Sequence, residues 1–162
     1  MDTPILAPHL NQVDRTLGDT YLKFQLEQQT PAILSMEQAQ EVLIVPAGRI
    51  TPMPNMPECV LGLLNRRNRV LWVIDLAQAL SLQPLGSSTG QYSVVIIQVN
   101  QITLGLLVLE VNGVTHFAPN MIQAPTELIT SPLITYLHGC IYEQEEVLLV
   151  LNTEAIVKCG CM

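Results

Sequence analysis

Short apolar runs separated by polar turn signals make up most of the chain from residue 21 onward. The runs are rich in β-branched residues, and their spacing of about 8–12 residues is typical of all-β sandwiches and barrels. The pattern predicts ten short strands and two short helices. The predicted strands are residues 21–26, 32–36, 41–45, 59–64, 70–74, 92–99, 102–111, 114–117, 137–142 and 147–151, and the predicted helices are residues 76–80 and 153–158.

Two segments of the chain repeat each other. Residues 62–76, GLLNRRNRVLWVIDL, align without a gap with residues 139–153, GCIYEQEEVLLVLNT, at an offset of 77. In each copy a glycine leads into a short apolar run, a polar turn, a β-branched strand and an Asp or Asn that can cap the following helix. The run that begins at Tyr92 likewise echoes the run at Tyr21. The sequence therefore predicts an all-β fold of two pseudo-repeated five-stranded barrels with short helices.

Segments poor in apolar periodicity suggest how the chain is divided. We expect residues 1–19 to form a flexible N-terminal tail and residues 20–158 to form the folded domain. The Pro-, Gly- and Ser-rich stretch 83–90, QPLGSSTG, predicts a linker. The first barrel is expected at about residues 35–85 together with the N-terminal strands, and the second at about residues 91–158. The dipeptide Asn112-Gly113 predicts a turn between two strands.

Composition narrows the class of protein. Hydrophobic residues make up 49% of the 162 residues and charged residues 13%, which excludes general disorder. The net charge of −7 argues against nucleic-acid binding, since such binding depends on many Lys and Arg side chains that neutralise phosphates. No apolar run approaches the roughly 20 residues that a membrane span needs, so we expect no membrane insertion.

The two copies of the repeat differ most in the charge of their turns. The first copy carries Arg66, Arg67 and Arg69, although the whole chain has only seven basic residues. The second copy carries Glu143, Glu145 and Glu146 at the matching turn. Opposite charges on equivalent turns can steer head-to-tail self-association or docking to a homologous barrel, while the alternative for either turn is a solvated polar surface.

Motifs for catalysis or for cofactor binding do not emerge from the sequence. We find no Ser/His/Asp or Cys/His arrangement with its flanking motif and no glycine-rich loop ahead of a helix. The four cysteines have a spacing that resembles no tetrahedral zinc site. We therefore expect a protein that is not an enzyme and that binds neither a metal nor a cofactor.

Residues 62–76 resemble the signature of CheW-type chemotaxis coupling proteins. That family's pattern there is roughly Gly, two apolar residues, Asn-Leu-Arg-Gly, a variable residue, and Val-Leu-Pro-Val-Ile-Asp-Leu. Upstream, Ala39-Gln40-Glu41-Val42 resembles the family's Val-x-Glu-Ile element. The resemblance extends over residues 20–157. It implies two five-stranded SH3-like barrels and a non-enzymatic scaffold that couples methyl-accepting chemoreceptors to the regulatory domain of a CheA-type histidine kinase.

The resemblance also implies a location and a set of partners. It places the protein in the cytoplasm at membrane-associated receptor arrays, with the kinase, the receptor and CheW-like ring partners as the proteins bound. The departures from the family pattern, together with the acidic chain, fit an accessory system such as type IV pilus-based phototaxis or twitching. The alternative is a small-molecule-binding or standalone regulatory β-barrel, in which the apolar run at residues 104–111 would line a pocket.

The same resemblance implies which residues contact the partners. Arg67 stands at the position of the family's signature arginine, and a guanidinium pairs well with carboxylates. Trp72 replaces the family's proline and is either a core residue or an interface anchor. The predicted kinase- and receptor-binding residues are Arg67, Asn65, Arg66, Arg69, Gln40, Glu41, Val42 and Trp72, and the secondary acidic turn consists of Glu143, Glu145 and Glu146.

Overall fold

The computed structural model describes residues 18–82, 90–125, 131–143 and 145–158. Ten strands and three short α-helices occupy these residues. The strands are β1 (Asp19–Glu27), β2 (Thr30–Ser35), β3 (Ala39–Pro46), β4 (Val60–Arg66), β5 (Arg69–Asp75), β6 (Gln91–Val99), β7 (Ile102–Val108), β8 (Glu110–Phe117), β9 (Leu137–Tyr142) and β10 (Val147–Leu151). The helices are α1 (Leu76–Ala79), α2 (Ser131–Ile134) and α3 (Thr153–Val157).

The strands form two five-stranded sheets, which confirms the predicted all-β class. The first sheet has the order β8-β1-β2-β10-β9, and the second has the order β3-β6-β7-β5-β4. Neighbouring strands are antiparallel except for two parallel pairs, β2 with β10 and β5 with β7. Read in these orders, the two sheets correspond strand by strand: β8 with β3, β1 with β6, β2 with β7, β10 with β5 and β9 with β4.

The division of the strands between the sheets differs from the predicted one. The first sheet combines β1 and β2 with the last three strands of the chain, while the second combines β3, β4 and β5 with β6 and β7. The expected barrels, one at about 35–85 together with the N-terminal strands and one at about 91–158, are therefore corrected, because each half of the chain contributes strands to both sheets. Four pairings join strands from different halves: the parallel pairs β2–β10 and β5–β7 and the antiparallel pairs β1–β8 and β3–β6.

The predicted tail and linker lie mostly outside the described residues. Of residues 1–19 only the last two are described, and Asp19 already begins β1. Within the linker at 83–90 only Gly90 is described.

The Asn112-Gly113 dipeptide was wrongly predicted to be a turn. Both residues lie inside β8, where Gly113 has a φ of +120°. The pairing of β8 with β1 shifts register at this point, so the dipeptide forms a β-bulge. This bulge places a residue at positive φ, as a two-residue hairpin turn also does, and for this reason glycine suits both. The predicted strand 102–111 is interrupted instead by a bend at Leu109, which separates β7 from β8.

Three apolar clusters hold the sheets together. The largest lies between the two sheets and includes Phe24, Leu34 and Leu151 of the first sheet and Ile97 and Leu106 of the second. A second cluster, which includes Leu64, Leu71 and Val94, lies on the other face of the second sheet. In each sheet we call the face that carries its own cluster, and not the cluster between the sheets, the inner face. A third, which includes Tyr21, Ile33 and Ile141, fills the inner face of the first sheet. The apolar run proposed to line a pocket is buried in these clusters at Leu104, Leu106, Leu107 and Val108.

The repeated units have the same local geometry, as predicted. The Asp75 side chain accepts a hydrogen bond from the Gln78 amide at the start of α1, and the Asn152 side chain accepts one from the Ala155 amide at the start of α3, both at 3.2 Å. These are N-cap interactions, which satisfy amides that have no partner within the helix.

Removing either cap should destabilise the fold by a similar amount. We expect Asp75→Ala and Asn152→Ala each to lower the free energy of unfolding by about 1 kcal/mol, the usual effect of losing an N-cap. Asp75→Asn, which copies the cap of the second unit, should recover most of the loss at residue 75. Urea denaturation measures all three, and an Asp75→Ala variant as stable as the parent chain would contradict the assigned role.

Candidate functional site

The arginine-rich turn joins β4 to β5 at one end of the second sheet. Its central residues, Arg67 and Asn68, have φ values of +54° and +64°, as in the type I′ turns that close two-residue hairpins. Asn tolerates this backbone better than most residues, so Asn68 can occupy the position of the glycine in the Asn-Leu-Arg-Gly pattern that this turn resembles. The turn projects into solvent, and the side chain of Arg67 is 74% exposed.

Glu41 lies within reach of two of the three arginines. Arg66 Nη2 donates a hydrogen bond to Glu41 Oε2, and Arg67 Nη2 lies 3.6 Å from the same oxygen. Glu41 belongs to β3 and Arg66 to β4, which are the two edge strands of this sheet. The Arg66–Glu41 ion pair therefore links two edges that share no strand pairing.

Strand alternation explains why Arg66 and Arg69 are held close to the sheet. Arg66 lies two residues after Leu64, and Arg69 lies two residues before Leu71, so both continue the inner face that carries the second cluster. Arg69 Nη2 donates a hydrogen bond to Thr103 Oγ1 on β7 at 3.0 Å. These two arginines thus contribute polar contacts at the end of the sheet, whereas Arg67 points away into solvent.

The hydrogen bond from Arg66 lowers the pKa of Glu41 below its ordinary value. Burial opposes this shift, and attraction to Arg66 and Arg67 reinforces it. Glu41 is therefore a carboxylate throughout the neutral range, and its ion pair with Arg66 persists there. The contribution of the pair is present above the ordinary carboxyl pKa and is lost only as pH falls through the lowered value.

The β3 residues predicted to bind a partner have different surroundings. Gln40 Nε2 donates a hydrogen bond to Gln98 Oε1 on β6. Val42 is 42% exposed, so this side chain does not occupy a core position. Asn65 is also exposed, next to the arginine turn. Trp72 is half-buried and packs against the cluster between the sheets, so most of this side chain serves the core.

Three exposed apolar side chains near these residues were not predicted from the sequence. Ile44 follows Val42 on the same face of β3 and is 66% exposed. Val70 and Ile102 are exposed at the end of the sheet that carries the arginine turn. The alternation within β3 was the available signal for Ile44. Nothing in the sequence marked Val70 or Ile102, because their strands are otherwise buried.

The acidic turn lies on the other sheet, between β9 and β10. Glu143 and Glu145 are exposed, and Glu146 pairs with Lys23 of β1 at 2.9 Å. Together with Met121 and Tyr142, the three glutamates line an open depression of about 800 Å³. The structure therefore places the two oppositely charged turns on different sheets, and it does not bring them into one site.

Two absences apply to the part of the chain that the structure describes. It contains no group of three or more His, Cys, Asp or Glu side chains arranged to hold a metal ion. None of its helices is long and apolar enough to cross a membrane.

Comparison with known proteins agrees with this fold. Residues 20–159 match the model of the family described as the CheW-like domain. Among solved structures, scaffolding protein TtCheW from Thermoanaerobacter tengcongensis superposes with a TM-score of 0.74 at 20% identity, and the match covers 90% of this chain and 96% of that one. At this identity the likeness concerns the fold.

Similar sequences carry related descriptions. A probable chemotaxis protein CheW from Rhizobium etli is 28% identical over 147 residues, which cover 91% of this chain and 90% of the relative. Protein PilI from Pseudomonas aeruginosa is 28% identical over 126 residues, which cover 78% of this chain and 68% of that protein.

Proposed function

The chain belongs to the CheW-like domain family, whose members are non-enzymatic scaffold proteins, and on that premise we propose that it couples methyl-accepting chemoreceptors to the regulatory domain of a CheA-type histidine kinase. The observation that carries this proposal is the exposed guanidinium of Arg67, held on a tight turn at one end of the second sheet. The scaffold role needs a surface of this kind, because it acts by holding two partners together.

Apolar contacts supply most of the proposed affinity. Val42 and Ile44 lie on an edge strand, and Val70 and Ile102 lie near the arginine turn, so docking can bury apolar area at both places. Gln40, Asn65 and Arg67 add polar contacts at the rim of this surface. Gln40 and Asn65 would mainly set orientation and association rate, whereas Arg67, once a docked partner covers it, would also contribute to affinity.

Salt should therefore act mainly on the association rate. We expect the rate constant for association with the kinase domain to fall about three- to tenfold between 50 and 500 mM NaCl, since added ions screen exposed charges. The dissociation rate constant should change by less than about twofold. Stopped-flow or surface-based kinetics measure both, and an association rate that does not respond to salt would argue against a role for the exposed arginines.

The acidic turn is proposed as a secondary contact. Glu143 and Glu145 are exposed beside an open depression, which suits a basic surface on a second copy of the chain or on a homologous barrel of the kinase. Pairs between exposed charges contribute only about 0–1 kcal/mol each, so this contact would orient the neighbour.

The proposed location is the cytoplasmic side of a membrane-associated receptor array. We further propose that the pathway controls a pilus-based motility system. The similarity to Protein PilI supports this assignment, while the similarity to chemotaxis proteins CheW supports the coupling role itself.

Calorimetric titration with the regulatory domain of the CheA-type kinase from the same organism tests the proposal directly. We expect binding with a Kd in the micromolar range or tighter, and a separate titration should detect binding to the cytoplasmic tip of the receptor. If the folded chain binds neither partner, the coupling function is wrong and only the family fold is retained.

A further inference from the structure

We propose that Arg66 controls partner specificity by holding the Glu41 carboxylate, which leaves Arg67 without a hydrogen bond to that carboxylate and favours a partner that is acidic at this turn. This inference rests on the proposed coupling function. It assigns different roles to two adjacent arginines, of which Arg66 is a positioning residue and Arg67 is the contact residue.

One carboxylate oxygen lies near two guanidinium groups. Glu41 Oε2 accepts the hydrogen bond from Arg66, while Arg67 Nη2 remains 3.6 Å away, beyond ordinary hydrogen-bond distance. The three side chains together carry one net positive charge. Since Arg66 makes the hydrogen bond to Glu41 and Arg67 is the more exposed of the two arginines, most of this charge is presented to solvent by Arg67.

Burial explains why Arg66 holds Glu41 in preference to Arg67. The side chains of Arg66 and Glu41 are 35% and 27% exposed, against 74% for Arg67. Arg66 Nε is buried and has no hydrogen-bond partner, so part of this side chain lies beneath the surface at the end of the sheet. Coulomb attraction is screened less at partly buried positions than in open solvent, which favours the inner pair.

The neighbouring residues define the chemistry of the partner. Arg69 donates to a neutral hydroxyl, that of Thr103, and therefore keeps its positive charge. Val70 is 62% exposed and Ile102 is 49% exposed at the same end of the sheet. The complementary surface on a partner is an apolar patch bordered by carboxylates, because these pair with guanidinium groups in planar geometry.

Replacing Arg66 by leucine should redirect the carboxylate to Arg67. Leucine keeps an apolar side chain on the inner face but cannot pair with Glu41. Arg67 is already 3.6 Å from Oε2 and needs only a side-chain adjustment to take the place of Arg66. The guanidinium that faces the partner would then be neutralised within the chain.

The test compares the parent chain with Arg66→Leu, Glu41→Gln and the double variant Arg66→Leu/Glu41→Gln. The first measurement is the rate at which phenylglyoxal modifies Arg67, followed by mass spectrometry of peptides, and it needs no partner. The second is the Kd for the kinase regulatory domain. We expect Arg66→Leu to slow modification of Arg67 about threefold and to weaken binding about tenfold. Adding Glu41→Gln should restore both values to within about twofold of the parent chain.

The outcomes separate this inference from a purely structural role and from the coupling proposal. If Arg66→Leu changes neither value, or if Glu41→Gln fails to restore them, Arg66 does not act by holding Glu41 and the inference is wrong. Should Arg66→Leu not fold, Glu41→Gln alone decides: Arg67 should react at the parental rate, and a rise of severalfold would show that Arg67 was paired already. If no kinase binds, the modification rates still test the inference while the coupling proposal fails.

Discussion

Arg67→Glu is expected to fold as stably as the parent chain and to bind the kinase regulatory domain about thirtyfold more weakly. The side chain is 74% exposed and makes no ordinary hydrogen bond to Glu41, so its loss removes little from the fold. Glutamate and arginine are both ordinary L-residues at a φ of +54°, and for this reason the backbone cost of the turn is the same in both chains. Reversing the charge turns an attraction into a repulsion across the proposed interface.

The expected size follows from charge pairs at other interfaces. Removing one partner of a well-buried charged pair costs about 2–5 kcal/mol, and about 1.4 kcal/mol corresponds to a factor of ten in Kd. Because Arg67 lies on an exposed turn, we take the lower end of this range, about 2 kcal/mol. Calorimetry gives the change in Kd, and thermal unfolding confirms that the variant is folded.

A matched control separates the position of the charge from the amount of charge. Arg49→Glu makes the same change in net charge at another exposed arginine. Arg49 lies just after the last residue of β3, whereas Glu41 and the arginine turn lie near the first residue of that strand. It should bind within about twofold of the parent chain. Equal weakening by Arg49→Glu and Arg67→Glu would indicate a general electrostatic effect, and the assignment of Arg67 as the contact residue would be abandoned.

Local structure followed from the sequence where the signals were local. The offset of 77 correctly matched Gly62 with Gly139 and Asp75 with Asn152, and each pair has the same geometry in the structure. The assignment of strands to sheets was wrong because it depends on pairing between strands that are distant in the sequence. A repeat shows that two units are alike, and it carries no information about whether they exchange strands.

The same limit applies to the candidate site. The sequence marked Glu41, Arg66 and Arg67, and the structure brings these three side chains together. The sequence could not show that Arg66 and Glu41 pair with each other, since they are 25 positions apart and lie on strands that do not pair. The exposure of Val70 and Ile102 depends on where the first sheet ends, which is likewise a long-range property.

Gly62→Ala is expected to have the largest effect on stability, lowering the free energy of unfolding by about 3–5 kcal/mol. Gly62 has a φ of +148°, and a Cβ placed on it would lie 2.1 Å from the carbonyl oxygen of Thr51. The backbone at Thr51 cannot move away freely, because it exchanges two hydrogen bonds with Leu63, at 2.8 and 2.9 Å. A loss of this size is a large share of the roughly 5–15 kcal/mol that stabilises a typical domain.

Gly139 provides an independent copy of this experiment. Its φ is +159°, and an added Cβ would lie 2.5 Å from the carbonyl oxygen of Gln123. The backbone of Gln123 is held in place because it exchanges two hydrogen bonds with the backbone of Cys140. Gly139→Ala should therefore destabilise the first sheet as Gly62→Ala destabilises the second. Since both clusters of inner-face residues adjoin the cluster between the sheets, we expect a single cooperative transition in each variant.

Two further glycines separate steric contact from backbone conformation. Gly113 has a φ of +120° but open space around an added Cβ, so Gly113→Ala should cost only the conformational term, about 1–2 kcal/mol. Gly48 has neither feature, and Gly48→Ala should stay within about 0.5 kcal/mol of the parent chain. Urea denaturation followed by the fluorescence of Trp72, the single tryptophan, measures the series. If Gly62→Ala costs no more than Gly113→Ala, the close approach of Thr51 does not restrict residue 62, and the shared glycine of the two repeats needs another explanation.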